Sequence, residues 1–412
     1  MDPVVLPRSE HGLSRKLIDP EARKVLYRLH NHGYLAYLVG GSVRDILLGR
    51  EPKDFDIATN AHPSEVRRLF RNSRTIGRRF RLVHVFFRDG TIIEVSTFRK
   101  TPDEPIENEA DPATEESDAS FAENNTFGTP EEDATRRDFT INALFYDISS
   151  FSILDYTGGL ADLDRGIIRT IGDPYVRFVE DPVRILRALD YSARLGFTLE
   201  PSTEKAIQQL MPEILRGAPS RLTEEILEVF RYGFSEPTVR LFYRYDVFHY
   251  LLPSVQKALL HENDAWMKSL IKLDSLVQSS RIKPSDTLIF SLLFMPVLVN
   301  RTQPLTPSSA MQFSEEIIDH KDILVFPKRL HHTFQQILVS LARMQNPPHT
   351  LKLKRQVTRQ HFPEVLHLMN CILEAYPSLV QHFHHWRGVY RSFRKNGNLS
   401  PRSSVKRTRR SR

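Results

Sequence analysis

In this 412-residue chain, LVGGSVRD at residues 38–45, followed by KDFDI at residues 53–57, is the clearest indication of the fold. Residues 34–39 are apolar and predict a short strand, which ends at the glycine pair where a helix over 42–48 begins. Residues 54–58 predict a second strand. Glycines let the backbone approach a phosphate closely, and a helix N-terminus presents free N–H groups to it. The stretch therefore predicts a small α/β unit with a phosphate-binding turn.

Asp54 and Asp56 are the sharpest chemical feature of the second strand. Alternate residues of a strand point to the same face, about 6.5–7 Å apart at Cα, so Phe55 faces the other way. Two carboxylates placed in this way can bridge divalent cations about 3.5–4 Å apart, as in phosphoryl transfer. An isolated Asp-x-Asp is more often a turn or a solvated strand end. The nearby glycine turn and Arg44 favour the phosphate chemistry.

The composition is that of an ordinary globular protein. Hydrophobic residues make up 40% and charged residues 26%, which excludes collagen-like, coiled-coil and wholly disordered chains. The single cysteine, Cys371, excludes an internal disulfide framework and suits a reducing compartment. Residues 1–10 have no secretion signal, and the most apolar run, 288–299, is too short to cross a bilayer. We therefore expect a cytoplasmic protein with no membrane partner.

The net charge of +7 is unevenly distributed along the chain. Residues 391–412 contain nine Lys or Arg and no acid, whereas 101–135 contain twelve Asp or Glu and no Lys or Arg. A basic body and a basic C-terminal stretch predict a polyanionic partner, most simply nucleic acid. The alternative is that the terminal charges form only a solvated tail. The acidic stretch predicts a long flexible loop.

Three later motifs join LVGGSVRD and KDFDI: RRDFTINA at 136–143, DYTGGLADL at 155–163 and EDPVRILRA at 180–188. Together the five stretches resemble the polymerase-β-like nucleotidyltransferases, and more narrowly the branch of CCA-adding tRNA nucleotidyltransferases and bacterial poly(A) polymerases. The resemblance is strong over 33–197 and fainter in the helical remainder. In this family the DYTGGLADL motif is a flexible segment between head and neck, and Asp190 stands where a basic residue is expected.

The resemblance implies that Asp54 and Asp56 are catalytic ligands of two Mg²⁺ ions, which align the α-phosphate of ATP with an RNA 3′-hydroxyl. Asp138 of the second motif is counted with the catalytic set. Glu94 competes with it as the third carboxylate, because the predicted strand 91–98 is expected beside the Asp54 strand. We prefer Asp138 on the motif match.

The resemblance also implies a set of nucleotide-binding residues: Gly40, Gly41, Arg44, Arg137, Asn142, Asp181, Arg184 and Arg187. Arg137 would contact the triphosphate, and Asn142 would orient the ribose or its surroundings. Asp181 and Arg184 are three residues apart and share a helix face, where an acceptor beside a donor fork can read a base edge. The alternative is an intrahelical salt bridge. In the family this pair acts with Arg187 as a protein template for the incoming base.

Two stretches favour the poly(A) polymerase branch: IGRRFRLVHV at 76–85 and FPKRL at 326–330. CCA-adding enzymes commonly have a shorter His-Gly-Thr-like turn at the first position, which this chain lacks. The predicted activity is template-independent addition of AMP from ATP to RNA 3′ ends, with release of pyrophosphate. The alternatives are a CCA-adding tRNA nucleotidyltransferase and a catalytically inactive RNA-binding scaffold. RNA-decay proteins are candidate partners, although no residue identifies them.

The predicted fold class is α+β, with a small polymerase-β-like α/β head followed by an all-α neck, body and C-terminal region. The predicted divisions are an N-terminal segment and helix (1–33), the head (34–150, with the acidic loop 101–135), the neck with the nucleotide-selecting helix (151–215), a helical RNA-binding body (216–390) and a basic disordered tail (391–412).

Overall fold

The computed structural model describes residues 2–77, 81–100, 127–301, 305–319, 324–345 and 353–395. The arginine pair of the 76–85 stretch, most of the acidic stretch and residues 396–412 therefore lie outside the described residues. The chain divides into two compact units. The first comprises Met1–Arg184 and Leu195–Gln208, and the second comprises Ile185–Arg194 and Gln209–Arg412.

The first unit contains all the strands of the described chain: β1 (Val4–Leu6), β2 (Ala36–Val39), β3 (Asp56–Thr59), β4 (Ser73–Ile76), β5 (Leu82–Phe86), β6 (Ile92–Thr97), β7 (Leu144–Asp147), β8 (Ile153–Asp155), β9 (Ile167–Ile168) and β10 (Thr198–Leu199). Its helices are α1 (Pro20–Asn31), α2 (Gly41–Leu47), α3 (Pro63–Leu69), α4 (Pro130–Thr135), α5 (Gly159–Arg165), α6 (Pro174–Glu180) and all but the last two residues of α8 (Pro201–Leu210). Helix α7 (Val183–Leu195) contains residues of both units.

Eight strands form one mixed sheet in the order β1-β8-β7-β2-β3-β6-β5-β4. All neighbours are antiparallel except β3 and β6, which run parallel, and β9 and β10 form a separate parallel pair. The parallel register places Asp56 beside Glu94. A mixed sheet in the head followed by a largely helical remainder confirms the predicted fold class.

The strand before the glycine turn is shorter than the sequence predicts. It begins at Ala36, because the N–H of Tyr34 donates to the carbonyl of Leu29 at the end of α1 and not to a neighbouring strand. The four strand residues are buried, and α2 then begins at Gly41, one residue earlier than predicted.

The strand after the turn begins at Asp56, so Asp54 lies before it and not on it. The cause is the partner strand: β2 ends at Val39, which pairs with Asp56, and the chain then turns away at Gly40. Residue 54 has no β2 neighbour to pair with. The prediction that both carboxylates lie on one strand face is therefore wrong.

The sequence Arg88-Asp89-Gly90 predicts a hairpin turn, and the hairpin is present as β5 and β6. By contrast, the last six residues of the predicted flexible acidic loop form the helix α4. Thr129 caps this helix by accepting from the N–H of Glu132, whose carboxylate accepts from the N–H of Thr129 in return. Acidic side chains in the first turn also interact favourably with the helix dipole. Local capping therefore orders a segment whose composition predicts a loop.

The DYTGG turn is held more tightly than its flexible family role implies. The carboxylate of Asp155 accepts hydrogen bonds from four successive N–H groups, those of residues 157–160, at 2.9–3.0 Å. A Cβ added at Gly159 would lie 2.2 Å from the carbonyl oxygen of Thr140, so only glycine fits there. The turn is thus a fixed junction between β8 and α5.

The second unit is helical where it is described. Besides most of α7 it comprises α9 (Pro219–Arg231), α10 (Ser235–Arg244), α11 (Val247–Leu251), α12 (Pro253–Gln278), α13 (Asp286–Leu293), α14 (Met295–Arg301), α15 (Pro307–Asp319), α16 (Lys328–Gln345), α17 (Leu353–Val357), α18 (Phe362–Ile372) and α19 (Val380–Lys395). Two buried tryptophans tie helices together: the Nε1 of Trp266 donates to Leu292, and that of Trp386 donates to Met344. Among the described helices, none is both long and apolar enough to cross a membrane.

Helix α19 extends to Lys395, so the first five residues of the predicted disordered tail, 391–395, are helical. Trp386, on the same helix, is fully buried and is part of the core.

Candidate active site

The glycine turn joins the buried strand β2 to α2. Gly40 has φ +72°, and a Cβ at this position would lie 3.2 Å from the Nη1 atom of Arg137. A side chain at residue 40 would thus strain the backbone and press on the guanidinium group of the second motif. The turn and Arg137 are brought together as the family resemblance implies.

Arg44 is buried and bonded to protein groups. Its Nη1 donates to Oδ1 of Asn142 at 2.6 Å, and its Nε donates to Asp45 at 2.8 Å. Nδ2 of Asn142 in turn donates to Oδ1 of Asp138 at 3.3 Å. These bonds connect α2 to the RRDFTINA motif. Arg44 and Asn142, which we predict to contact the nucleotide, join the two motifs to each other.

The carboxylate next to Asp56 is Glu94, on the neighbouring strand β6. Asp56 is accessible to solvent but crowded by protein atoms; this desolvation, and then the Glu94 charge, raise its pKa to about 6. Arg137 lowers the same pKa, and Asp54 adds a smaller increase. Asp56 is therefore close enough to Glu94 and to Asp54 to be repelled by both.

Asp138 has a different environment. Its Oδ1 accepts from the N–H of Phe139 at 2.8 Å as well as from Asn142, and its charge acts on Arg177. The sheet register does not support our preference for Asp138 over Glu94 as the third carboxylate, because Glu94 is the one aligned with Asp56. The strand that carries Glu94 was expected to lie beside the strand of Asp56, and β6 does pair with β3 in the sheet.

Arg137 is held by a buried acid that the sequence reasoning missed. Its Nη2 and Nε donate to Oδ2 of Asp133 at 3.0 and 3.3 Å, and its guanidinium lies 5.3 Å from the Phe145 ring. Arg136 donates to the other oxygen of Asp133 at 2.9 Å. Asp133 is fully buried, and the two arginines hold its pKa below the usual value although burial alone would raise it. Asp133 precedes Arg136 and Arg137 by three and four residues, a spacing that brings side chains together on a helix. This spacing was the sequence signal from which the contact could have been predicted.

Arg177 is a second residue that the sequence reasoning missed. Its Nη2 donates to the carbonyls of Arg136 and Arg137 at 2.6 and 2.9 Å. Burial lowers the pKa of Arg177, and the charge of Arg184 lowers it further. Arg177 thus connects the second motif to α6, directly before the predicted base-selecting segment.

Asp181 and Arg184 lie together, although Asp181 precedes α7. Their closest approach, Oδ2 to Nε, is 4.0 Å, while Nη1 of Arg184 donates to the carbonyl of Arg177 at 2.9 Å and lies 3.3 Å from Glu180. The pair is therefore not a tight intrahelical salt bridge. Both side chains are only half-buried.

Arg187 and Asp190 belong to the second unit. Arg187 donates to the hydroxyl of Tyr191 at 3.0 Å and lies 3.5 Å from Glu225. Asp190, the acid where a basic residue was expected, lies 3.8 Å from Arg194 and accepts from Thr238. Its charge is therefore balanced within the helical unit.

Within the described ranges, no three His, Cys, Asp or Glu side chains converge closely enough to form a preformed metal cage. This includes the histidines of the C-terminal helices. Asp54 and Asp56, at the start of β3, and the neighbouring Glu94 instead form an open set of carboxylates. A bound cation would relieve the repulsion that Glu94 and Asp54 exert on Asp56.

Comparisons with known proteins agree with the motifs. The model of the Poly A polymerase head domain matches residues 36–169, and that described as the probable RNA and SrmB-binding site of polymerase A matches 196–259. Poly(A) polymerase I of Escherichia coli O6:H1 is 40% identical over 342 residues, covering 79% of this chain and 72% of that protein. The CCA-adding enzyme of Bacillus pumilus is 41% identical over 185 residues, covering 45% and 43%.

Solved structures give a similar result. The CCA-adding enzyme of Bacillus stearothermophilus in complex with CTP superposes with a TM-score of 0.64 at 25% identity, covering 92% of this chain and 83% of that one. A tRNA nucleotidyltransferase complexed with a primer tRNA and an incoming ATP analog gives 0.57 at 23% identity, covering 91% and 100%. The second likeness concerns the fold alone.

Proposed function

Because this chain belongs to the poly(A) polymerase family of nucleotidyltransferases, we propose that it adds AMP from ATP to the 3′-hydroxyl ends of RNA and releases pyrophosphate. The observation that carries this proposal is the extent of the similarity. Identity of 40% to poly(A) polymerase I runs through 342 residues, whereas the 41% identity to a CCA-adding enzyme covers 185. The helical unit, and not only the head, therefore favours poly(A) synthesis. RNA processing and decay in the cytoplasm is the process such tails would serve.

We assign Asp54, Asp56 and Glu94 as the ligands of two Mg²⁺ ions. Carboxylate oxygens are the ligands that this cation prefers, and the charges of Glu94 and Asp54 raise the Asp56 pKa, as expected of carboxylates close enough to share a cation. When bound, Mg²⁺ supplies electrostatic stabilisation of the entering and leaving oxygens of the displacement. Asp138 accepts a hydrogen bond from Asn142 and so helps to hold the second motif in place.

The residues of the chain itself orient the substrates. Arg137, held by Asp133 and beside Gly40, presents a fixed guanidinium for the triphosphate, and the missing side chain at residue 40 leaves room for it. Arg44 and Asn142 keep α2 and the second motif in register. Positioning and electrostatics of this kind are the main protein contribution to nucleotidyl transfer.

Asp181 and Arg184 are proposed to read the base. An adenine edge offers an amino donor for the carboxylate and a ring nitrogen acceptor for the guanidinium. The Arg184 guanidinium is held by the carbonyl of Arg177 at 2.9 Å and by Glu180 at 3.3 Å, and it lies 4.0 Å from the Asp181 carboxylate. Arg187 is proposed as the third member of this template, as in the family pattern.

The test is extension of a short unstructured RNA with a free 3′-hydroxyl in Mg²⁺, with each nucleoside triphosphate supplied separately. A parallel reaction contains tRNA that lacks its terminal CCA. We expect long products with ATP alone on the generic RNA. Addition that stops after C, C and A on tRNA only would assign a CCA-adding enzyme. Absence of extension in both reactions would favour the inactive scaffold.

A further inference from the structure

Three arginines of the second unit converge where α16 ends. Arg343 lies on the last turn of α16, Arg355 lies on α17, and Arg359 lies in the turn that follows. Burial lowers the pKa of Arg359, and the charges of Arg343 and Arg355 lower it further. The hydrogen bond between Ser340 and His361 brings the segment of Arg359 next to the end of α16, which carries Arg343, and Arg355 lies four residues before Arg359.

Two buried side chains hold this arrangement in place. Nε2 of His361 is hydrogen-bonded to Oγ of Ser340 at 2.8 Å, one helical turn before Arg343. Nε1 of Trp386 donates to the carbonyl of Met344 at 3.0 Å. His361 and Trp386 are 8% and 0% exposed, so core contacts fix the backbone that carries the arginines.

No described acid balances the cluster. Residues 324–395 contain eleven Lys or Arg and two acids. Of these acids, Glu374 pairs with Lys272 at 3.3 Å, while Glu364 neighbours Ser285 and Asp286. The charges that act on Arg359 are both arginines. The C-terminal dipole of α16 favours Arg343 but leaves the other two arginines unexplained.

We propose that Arg343, Arg355 and Arg359 form a binding site for the phosphate groups of an RNA backbone. The site lies outside residues 196–259, to which the RNA-binding description applies. The choice of RNA as the polyanion rests on the proposed function. Guanidinium groups bind phosphate in a bidentate manner, and such contacts add affinity that is independent of base sequence. Repulsion between like charges opposes folding, and binding of phosphate would give this cluster a function.

The test compares the full chain with the triple variant Arg343→Gln, Arg355→Gln, Arg359→Gln, using fluorescence anisotropy of a labelled single-stranded RNA. We expect affinity to fall about tenfold or more at ~0.1 M salt, since several phosphate contacts are lost. The slope of log affinity against log salt should decrease by about 2, because each phosphate contact contributes about 0.7 for single strands.

A matched control removes three positive charges that already have acidic partners. Lys24, Arg68 and Lys272 lie 2.7, 3.7 and 3.3 Å from Glu21, Glu65 and Glu374. Their replacement by Gln should leave RNA affinity and salt slope close to those of the unmodified chain. The triple Arg→Lys variant of the cluster keeps the charge and should keep most of the salt slope.

Thermal unfolding separates binding from a structural role. Relief of repulsion should leave the unfolding midpoint of the triple Gln variant unchanged or higher while RNA affinity falls. A lower midpoint with unchanged RNA affinity and slope would overturn the proposal. If the unmodified chain binds labelled polyglutamate more tightly than RNA, and the triple Gln variant loses that binding, RNA is not the ligand of the cluster. If the unmodified chain binds RNA through this site but adds no nucleotide, the cluster stands and the proposed function fails.

Discussion

Glu94 and Asp138 are the two residues between which the third carboxylate role must be assigned. Glu94 is aligned with Asp56 across the parallel strands and raises the Asp56 pKa, whereas Asp138 is bonded to Asn142 and to a backbone N–H. A cation held at Asp56 would feel the Glu94 charge directly. Asp138 is bonded to Asn142, which in turn accepts from Arg44.

We therefore expect Glu94→Gln to lower kcat for AMP addition by about 100- to 1,000-fold, the usual effect of removing one transition-state electrostatic group. Asp138→Asn should have a smaller effect. The measurement is the rate of extension at saturating ATP and RNA, with thermal midpoints recorded as a folding control. A larger loss in Asp138→Asn would return the role to Asp138.

The buried carboxylate of Asp133 holds the guanidinium of Arg137 through two hydrogen bonds. In Asp133→Asn the guanidinium loses its charged anchor, so we expect kcat/KM for ATP to fall by about 100-fold, as small misplacements of a positioning group can do. Asp133→Glu keeps the charge and should recover part of the loss. Equal kcat/KM in all three proteins would show that Arg137 is positioned by other contacts.

The same carboxylate predicts a pH effect on stability. Arg137 and Arg136 outweigh burial and hold the pKa of Asp133 below its usual value. The folded state therefore binds this proton more weakly than the unfolded state does. The stabilisation is complete above the unfolded pKa of about 3.9 and is lost as the pH falls through the lower folded pKa. Urea unfolding from neutral pH down to this range should show a steeper acid-side loss in the unmodified chain than in Asp133→Asn.

At the scale of elements, the β2–α2 turn is the part of the fold on which the site depends most. Gly40 and Gly49, at the two ends of α2, have almost the same φ, +72° and +70°. Only the Cβ of residue 40 would meet another group, the Arg137 guanidinium at 3.2 Å. The two positions therefore separate backbone strain from displacement of Arg137.

We expect Gly40→Ala and Gly49→Ala each to lower the free energy of unfolding by about 1–2 kcal/mol, because both place an L side chain in the left-handed region. Only Gly40→Ala should also lower kcat/KM for ATP. Urea unfolding and initial extension rates on the same preparations make the comparison. Equal activities in the two variants would argue against a catalytic role for the turn.

At the scale of the whole molecule, positive charge is concentrated toward the C-terminal part of the sequence. Residues 396–412 contain six Lys or Arg and no acid. We expect deletion of this stretch to reduce the salt slope of RNA binding by up to about 4, since each phosphate contact adds about 0.7. Extension at saturating RNA should not change. An unaltered slope would support the alternative that these charges are only solvated.

Much of this protein was determined by its sequence alone. The glycine turn, the β5–β6 hairpin, the mixed α+β class and the poly(A) polymerase family motifs could all be predicted. These features depend on signals that act over a few residues, such as a required positive φ, a capping side chain or a periodic apolar pattern. The same local signals predict the start of β3 incorrectly. Asp54 is not part of the strand because β2 offers it no pairing partner, and no local signal shows this.

Contacts between side chains that are distant in the sequence depend on how the strands and helices pack. Glu94 lies beside Asp56 because β3 and β6 run parallel in one register, and Arg44 bonds to Asn142 across 98 residues of sequence. The burial of Asp133 and the convergence of the arginines around Arg359 likewise depend on how separate helices pack. Pair register and burial arise from the sum of many distant contacts, so no local stretch of sequence specifies them.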